Sequence, residues 1–276
     1  MAFDRNHPLL ATLDSVEPKP HPRGGRDEKK NYAQRLSNGL AQLMGDALRA
    51  DFPTITPTAE GTGQESAVAV DKGNKRLDVK VTEEPLGLIL NVSIKTYSFQ
   101  DYSPKKDRLG RWTKNIVRND LELRGEAMVL HQRQPYAVLV GVMFEPLEIC
   151  DDGDPKRASD AGKSSFAHHV SVLSKRSGRG RRAIHGGTPG SFVDYGAHDP
   201  RHDLFERVFI GLYGQYGEDR GTVRFFDVEN PPPRNGRPRD SLTLTFDALI
   251  GVIKEEVNRR NSFAPTWDDP SVDEDD

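Results

Sequence analysis

The chain has 276 residues, of which 35% are hydrophobic and 29% are charged. Its mean hydropathy of -0.68 predicts polar loops around a sizeable core. No run approaches the roughly 20 apolar residues that cross a bilayer, and the N-terminus lacks the layout of a secretory signal, so we expect a cytoplasmic protein without membrane contact. The single cysteine, Cys150, excludes an internal disulfide and the cysteine-rich zinc motifs.

The net charge of -3 averages an acidic C-terminal segment with a remainder that is basic. Six of the 42 acidic residues lie in the last nine positions, so residues 1–267 carry 39 basic and 36 acidic residues. We expect residues 266–276 to form a disordered acidic tail. Residues 1–27, rich in Pro, Gly and charge, are expected to form a flexible arm. Residues 28–265 then make a single domain with its core at 28–150.

The spacing of apolar residues predicts alternating helices and strands along the chain. The N-terminal half is predicted to contain a helix of about twenty residues from Asp27, strands at 67–70, 76–81 and 86–99, and a helix at 113–132. The C-terminal half is predicted to contain a buried strand at 136–144, a short helix at 164–175, a loop at 178–203, a hairpin of 204–216 with 221–228, a strand at 242–245 and a helix at 246–261. This order indicates an α/β fold around one mixed sheet.

Two of the predicted strands, 76–81 and 86–99, carry polar residues at alternate positions. Side chains two apart in a strand share a face, so pairing of these strands would bring Asp78, Ser93 and Lys95 together opposite the apolar set. A carboxylate and an ammonium group beside a hydroxyl suit metal-assisted hydrolysis of a phosphodiester. A simpler interpretation is a cross-strand ion pair between Asp78 and Lys95 on a solvated face.

An Asp on one strand, followed on the next strand by a residue pair that ends in Lys, resembles the PD-(D/E)XK nuclease superfamily. The resemblance covers roughly residues 28–145. It implies the restriction endonuclease-like fold, a mixed β-sheet flanked by helices, here with C-terminal strands and a helix added. Asp78 matches the hairpin Asp, and Ser93-Ile94-Lys95 matches the (D/E)-x-K tripeptide. Ser93 departs from the pattern, because a hydroxyl is a weaker Mg²⁺ ligand than a carboxylate.

The resemblance implies a metal-dependent DNA endonuclease that uses Mg²⁺ or Mn²⁺ and serves restriction or phage defence. Its partners would be DNA, a second copy of the chain and proteins of a defence system. The implied catalytic set is Asp78, Lys95, Glu65 and Ser93, with Glu65 as the stand-in for the early acid. Asp78, Glu65 and the main-chain carbonyl of Ile94 would hold the metal, and Lys95 would orient the attacking water. The charge that Ser93 lacks could instead come from Glu83, Glu84 or Asp101.

Two basic segments are candidates for contact with nucleic acid. Lys114, Asn115 and Arg118 lie on the helix that follows the tripeptide, and such side chains suit phosphates and base edges. Intrahelical ion pairs on an exposed helix are the alternative. The second segment is a Gly-containing run that we expect to be a flexible phosphate-binding loop, unless it is merely solvated. Its basic residues are Lys175, Arg176, Arg179, Arg181 and Arg182.

Other functions fit parts of the same sequence. A DNA-binding or regulatory protein that kept the nuclease fold would need no catalytic site, and neither would an assembly subunit. A second hydrolase hypothesis places a metal at His198 and His202 with Asp199 or Asp203. Pro200 disfavours this arrangement, because it keeps the two histidines from sharing a helical face.

Overall fold

The computed structural model describes residues 6–70, 73–84, 86–154, 156–183 and 192–262. The predicted acidic tail, the first five residues of the predicted arm and residues 71–72 of a predicted turn lie outside the described residues. Within the described ranges, no helix is long and apolar enough to cross a membrane.

The described chain alternates between helices and strands. The helices are α1 (Leu10–Val16), α2 (Arg26–Leu48), α3 (Ile116–Arg133), α4 (Ser165–Leu173) and α5 (Phe246–Asn261). The strands of the N-terminal half are β1 (Ser66–Val70), β2 (Gly73–Leu77), β3 (Val79–Glu83), β4 (Gly87–Thr96), β5 (Tyr102–Ser103) and β6 (Arg108–Leu109). Those of the C-terminal half are β7 (Val138–Pro146), β8 (Arg181–Ala183), β9 (Phe192–Asp194), β10 (Arg207–Tyr213), β11 (Val223–Asp227) and β12 (Thr243–Leu244).

Six strands form one mixed sheet in the order β12-β11-β10-β7-β4-β3. The central strands β4, β7 and β10 are parallel, and helices cross over between them because parallel neighbours cannot be joined by a tight turn. The outer pairs β3–β4, β10–β11 and β11–β12 are antiparallel. The predicted mixed α/β fold, the buried central strand and the C-terminal hairpin are therefore confirmed.

Helices cover both faces of the sheet. On one face, α1, α2 and α5 pack on the apolar side chains of the strands, and this first layer includes Leu40, Val92 and Leu249. On the other face lies a second layer built by α3 and α4, with Leu123 and Phe166 among its buried residues. Because both faces are covered, every residue of β7 is buried, as expected for the middle of a parallel sheet.

The N-terminal segment is not the flexible arm that its composition predicts. Leu10–Val16 form α1, and Leu9, Leu13 and Val16 are buried against the first layer. Their spacing of four and three residues makes one apolar stripe on a helix. The stripe is short and lies next to a Pro-rich stretch. That stretch dominates the composition of residues 1–27, so the composition indicates an arm. Arg220 also holds the helix in place through an ion pair of 2.5 Å with Asp14.

The predicted strand 76–81 is broken at Asp78, which occupies a bend between β2 and β3. β2 pairs with β1 in a separate hairpin, whereas β3 pairs with β4 in the main sheet. Consequently Leu77 packs in the second layer, and Val79 and Val81 pack in the first. The expectation that these three apolar residues share one face is wrong, because the bend separates them.

Candidate functional site

Asp78 stands at the start of the β3–β4 hairpin. The register pairs Val79 with Val92, so the preceding residue, Asp78, comes beside Ser93. The Oδ2 atom of Asp78 accepts a hydrogen bond of 2.7 Å from the backbone N–H of Ile94. The N–H and C=O of a strand residue point to the same side, which places the carbonyl of Ile94 on the same edge as this carboxylate.

The carboxyl group of Asp78 has a raised pKa. Burial is the main cause, and the negative charges of Glu126 and Glu65 add to it, whereas the Ile94 N–H and the Lys95 ammonium act in the opposite direction. Burial disfavours the charged form of an acid, and nearby like charges do the same. Asp78 is thus a carboxylate that a cation would stabilise strongly.

Two buried polar side chains lie next to Asp78 on the face of β4 that meets the second layer. Ser93 is 1% exposed and Asn91 is fully buried. The Oγ of Ser93 and the Oδ1 of Asn91 have no hydrogen-bond partner among the described residues. A buried oxygen without a partner is costly, and native structures contain few of them. These two atoms therefore mark the face beside Asp78 as a candidate for ligand binding.

Lys95 is paired with Glu122 of α3 rather than with Asp78. Its Nζ lies 3.8 Å from Oε2 of Glu122. The other oxygen of Glu122 accepts a hydrogen bond of 2.8 Å from Nε of Arg118. A direct cross-strand ion pair between Asp78 and Lys95 is therefore not formed, and the ammonium group is held beside the sheet by an acid from the helix.

α3 brings a second acid to the site, one helical turn further along. Glu126 is 4% exposed and accepts a hydrogen bond of 2.9 Å from Nδ2 of Asn91. Lys75 of β2 lies 3.2 Å from its other oxygen. The sequence interpretation did not include Glu122 or Glu126. Their spacing of four residues on the helix after the tripeptide could have indicated them, because residues four apart share one face of a helix.

Glu65, the predicted second acid, lies on the outer side of the site. Its carboxylate accepts a hydrogen bond of 3.0 Å from Nε2 of Gln34 and pairs with Arg76 at 3.5 Å. The side chain is 42% exposed. Its charge still raises the pKa of Asp78, so it lies within electrostatic reach of that carboxylate.

The alternative acids are not brought to Asp78. Glu83 ends β3, five residues and about 16 Å along the strand from Asp78. Glu84 is exposed beyond it. Asp101 accepts a hydrogen bond of 3.1 Å from the backbone N–H of Lys114. Within the described part of the chain, α3 instead supplies two acids that contact β4, Glu126 at Asn91 and Glu122 at Lys95.

The donor set around Asp78 fits magnesium better than zinc. Among the described residues, no group of three or more His, Cys, Asp and Glu side chains could hold a metal ion. The oxygens on and beside this part of β4 are of mixed kind: the carboxylate of Asp78, the unpartnered oxygens of Ser93 and Asn91, and the carbonyl of Ile94. Mg²⁺ takes one or two carboxylates and keeps several waters, so such a set suits it.

The alternative His-metal site is not formed in the described part of the chain. Asp199 is bound to Arg201 and to the N–H of Gly180, and although burial opposes the shift, these contacts lower its pKa to about 2. Asp203 is bound to Arg176 at 3.2 Å. The acids that the histidines would need are therefore already neutralised by arginines. Residues 184–191 of the predicted loop at 178–203 lie outside the described residues.

Arginines of the basic run after α4 are paired with acids of the folded domain, so the prediction of a flexible phosphate-binding loop is wrong. Three of its arginines bind acids: Arg176 binds Asp120 at 2.6 Å, Arg179 binds Glu206 at 3.0 Å, and Arg181 binds Glu229 at 2.6 Å. Arg179 is fully buried. Lys175 is exposed, and the side chain of Arg182 lies outside what the structure describes.

The N-terminal end of α3 remains an exposed, basic surface beside Lys95. Lys114 and Asn115 are exposed immediately before the helix, and Arg118 lies in its first turn. The Tyr97 hydroxyl donates a hydrogen bond of 2.7 Å to the carbonyl of Lys114, which fixes this end of the helix to the sheet. Helix N-termini favour anions, so the surface suits a phosphate backbone.

Comparison with known proteins found no matching family model, no similar curated protein and no similar solved structure. The interpretation of function therefore depends on the geometry around Asp78, Ser93 and Lys95. That geometry combines a partly buried carboxylate, unsatisfied oxygens and an ammonium group next to a basic helix end.

Proposed function

We propose that the protein is a Mg²⁺-dependent DNA endonuclease of the PD-(D/E)XK type. The observation that carries the proposal is the position of Asp78, which is held by the Ile94 N–H beside Ser93 and on the same face as Lys95. The order of α2, β3, β4, α3 and β7, with β7 parallel to β4, also agrees with the core that the resemblance implies.

In the proposed reaction, Asp78 would hold Mg²⁺ together with the oxygens of Ser93 and Asn91 and the carbonyl of Ile94. The ion would supply Lewis-acid chemistry at the scissile phosphate and at a bound water. Asp78 contributes a negative charge whose position is fixed in advance by the Ile94 N–H. Lys95, held by Glu122, orients the attacking water and offsets the negative charge that develops on the phosphate. Fixed charges of this kind stabilise a transition state because they need no reorganisation during the reaction.

Glu126 is the proposed source of the charge that Ser93 lacks. It is buried, it touches Asn91 next to the site, and its charge acts on Asp78. Glu65 acts on Asp78 as well, but its half-exposed carboxylate is already shared between Gln34 and Arg76. A buried carboxylate interacts more strongly with a cation than an exposed one, because water screens it less.

Lys114, Asn115 and Arg118 are the proposed DNA contacts, since they are exposed beside Lys95 at the N-terminal end of α3. Contacts of this kind fix the register of the backbone on the enzyme and make binding dependent on salt. Restriction or phage defence, with pairing of two copies to cut both strands, is the role that the resemblance implies for such an enzyme.

The substitutions Asp78→Ala and Lys95→Ala test the proposal on duplex and single-stranded DNA with Mg²⁺. We expect each to slow cleavage by about 10²–10³-fold, the usual effect of removing one preorganised charge. Asp151→Ala and Lys30→Ala are matched controls at exposed positions and should cleave like the wild type. Unchanged cleavage by both site variants would refute the assignment.

One alternative is favoured by Ser93 itself, which stands where the family has an acid. A DNA-binding protein that retained the nuclease fold would bind DNA at the end of α3 without cutting it. Salt-dependent DNA affinity without any nicking in Mg²⁺ or Mn²⁺ would support this function instead.

A further inference from the structure

The β1–β2 hairpin directs two adjacent cations onto the acids around Asp78. Nζ of Lys75 lies 3.2 Å from Oε2 of Glu126, and Nη1 of Arg76 lies 3.5 Å from Oε2 of Glu65. Glu126 also accepts a hydrogen bond from Asn91, whose side chain shares a face of β4 with Ser93, the neighbour of Asp78. The hairpin thus places one positive charge on each of these two acids.

The two ion pairs differ greatly in burial. Arg76 is 76% exposed and its partner is half-exposed, so water and salt screen their attraction. Glu126, in contrast, is almost completely buried, and Lys75 is 34% exposed. A buried carboxylate is strongly destabilising without a compensating charge. Lys75 is therefore the counter-ion of the buried Glu126 carboxylate.

We propose that Lys75 is a displaceable counter-ion, and that it sets the affinity of the site for divalent cations by competing with them for Glu126. The inference rests on the proposed function, because it requires a cation at Asp78 to use the Glu126 carboxylate. A divalent cation held at Asp78 would compete with the Lys75 ammonium for the Glu126 carboxylate. Lys75 is a positioning residue and has no contact with the reacting atoms.

The β1–β2 hairpin, which carries Lys75, can move away from Glu126 without any change in the strand pairing of the main sheet. β1 and β2 pair only with each other, and the bend at Asp78 separates them from the ladder of β3 and β4. Side-chain contacts fasten the hairpin at its base, including Thr56 to Ser66 at 3.0 Å and Lys80 to the carbonyl of Ala67 at 2.9 Å. A two-stranded hairpin has little stability of its own, so loss of the Lys75 contact would loosen it.

The inference is tested by titrating the full chain with Mn²⁺ alone and measuring binding by calorimetry. Lys75→Gln should bind Mn²⁺ roughly tenfold more tightly than the wild type, within the usual range for coupled sites. Lys75→Arg, which keeps the charge, should bind like the wild type. Arg76→Gln is the matched control from the exposed pair and should change the affinity less than twofold.

Hydrogen exchange on the wild type gives a second readout that needs no variant. Addition of Mn²⁺ should speed amide hydrogen exchange in β1 and β2, because displacement of Lys75 from Glu126 would loosen the hairpin. Two outcomes would overturn the inference about Lys75 but leave the proposed function intact. One is equal Mn²⁺ affinity of the wild type and Lys75→Gln, and the other is unchanged or slower amide hydrogen exchange in the hairpin. Absence of Mn²⁺ binding in every protein, or full binding by Asp78→Asn, would overturn the proposed function as well.

Discussion

The Oδ2 atom of Asp78 accepts a hydrogen bond of 2.7 Å from the backbone N–H of Ile94, at the bend between β2 and β3. This bond fixes the carboxylate at the open edge of β4, where β3 has not yet begun. It also brings the carboxylate to the tripeptide Ser93-Ile94-Lys95, whose side chains come from two faces of the sheet. The bend is thus the structural feature that builds the candidate site.

Placing an acid at position 93 should make the stability of the protein depend on Mg²⁺. Ser93→Asp adds a buried carboxylate beside Asp78, so we expect the melting temperature to fall in EDTA. Bound Mg²⁺ would compensate both charges, and added Mg²⁺ should raise the melting temperature more than it does for the wild type. Ser98→Asp, at a similarly buried serine outside the strand, is the control. A Mg²⁺ response of Ser93→Asp no larger than the control's would argue against a metal at this position.

The buried cluster around Glu206 should make the protein sensitive to acid. Burial alone would raise the pKa of Glu206, but His131, Arg260 and Arg179 lower it to about 2. Because the unfolded chain takes up this proton at a higher pH, the stabilisation is present above 4.5 and is lost as the pH falls towards 2. Glu206→Gln should lower the free energy of unfolding at neutral pH by about 3–5 kcal/mol and flatten this dependence. Urea unfolding at several pH values measures both effects, with Glu218→Gln as the exposed control.

α1 should contribute to global stability, although composition indicates an arm. Leu13 is 2% exposed within the first layer, so Leu13→Ala should cost about 2–5 kcal/mol through lost burial and the cavity that remains. Ala11→Ser, on the exposed side of the same helix, should change the free energy of unfolding by less than about 0.5 kcal/mol. Equal stability of the two variants in urea would show that α1 is dispensable.

The two basic segments should respond differently to neutralisation. Lys114→Gln should weaken DNA binding and reduce the slope of log affinity against log salt by about 1, because it removes one phosphate contact. Arg181→Gln should lower stability instead, since the largely buried Arg181 is paired with Glu229. Binding titrations at several salt concentrations, with melting curves alongside, separate these effects. If Arg181→Gln loses more DNA affinity than Lys114→Gln, the basic run after α4 is the DNA-binding surface instead.

Apolar periodicity was sufficient to predict most of the fold. α2, α3, α5, β4 and β7 have strong local patterns, and each is found close to its predicted limits. The break at Asp78 could not be predicted in this way. Leu77, Val79 and Val81 keep the alternation of a continuous strand, yet they pack against different layers. Because both faces of the sheet are apolar, alternation does not reveal which face a residue meets.

The candidate site could be predicted only in part. The sequence pattern indicated Asp78, Ser93 and Lys95, because they lie on neighbouring strands with known alternation. It did not indicate the ion pairs of the site, whose members are far apart in the sequence: Lys95 with Glu122 and Lys75 with Glu126. The same limitation made the arginine run resemble a free loop, since its acidic partners lie 27 to 56 residues away. Pairing over such separations is set by tertiary packing.

Cleavage of supercoiled plasmid DNA by the wild type and by Asp78→Asn tests the proposed nuclease site most directly. The substitution keeps the size of the side chain and removes its charge. We predict that the wild type nicks the plasmid with Mg²⁺ and stops in EDTA, that Asp78→Asn is at least about 100-fold slower, and that Asp151→Asn matches the wild type. Equal nicking by Asp78→Asn, or no nicking by the folded wild type with any divalent cation, would contradict a metal-dependent nuclease site at Asp78.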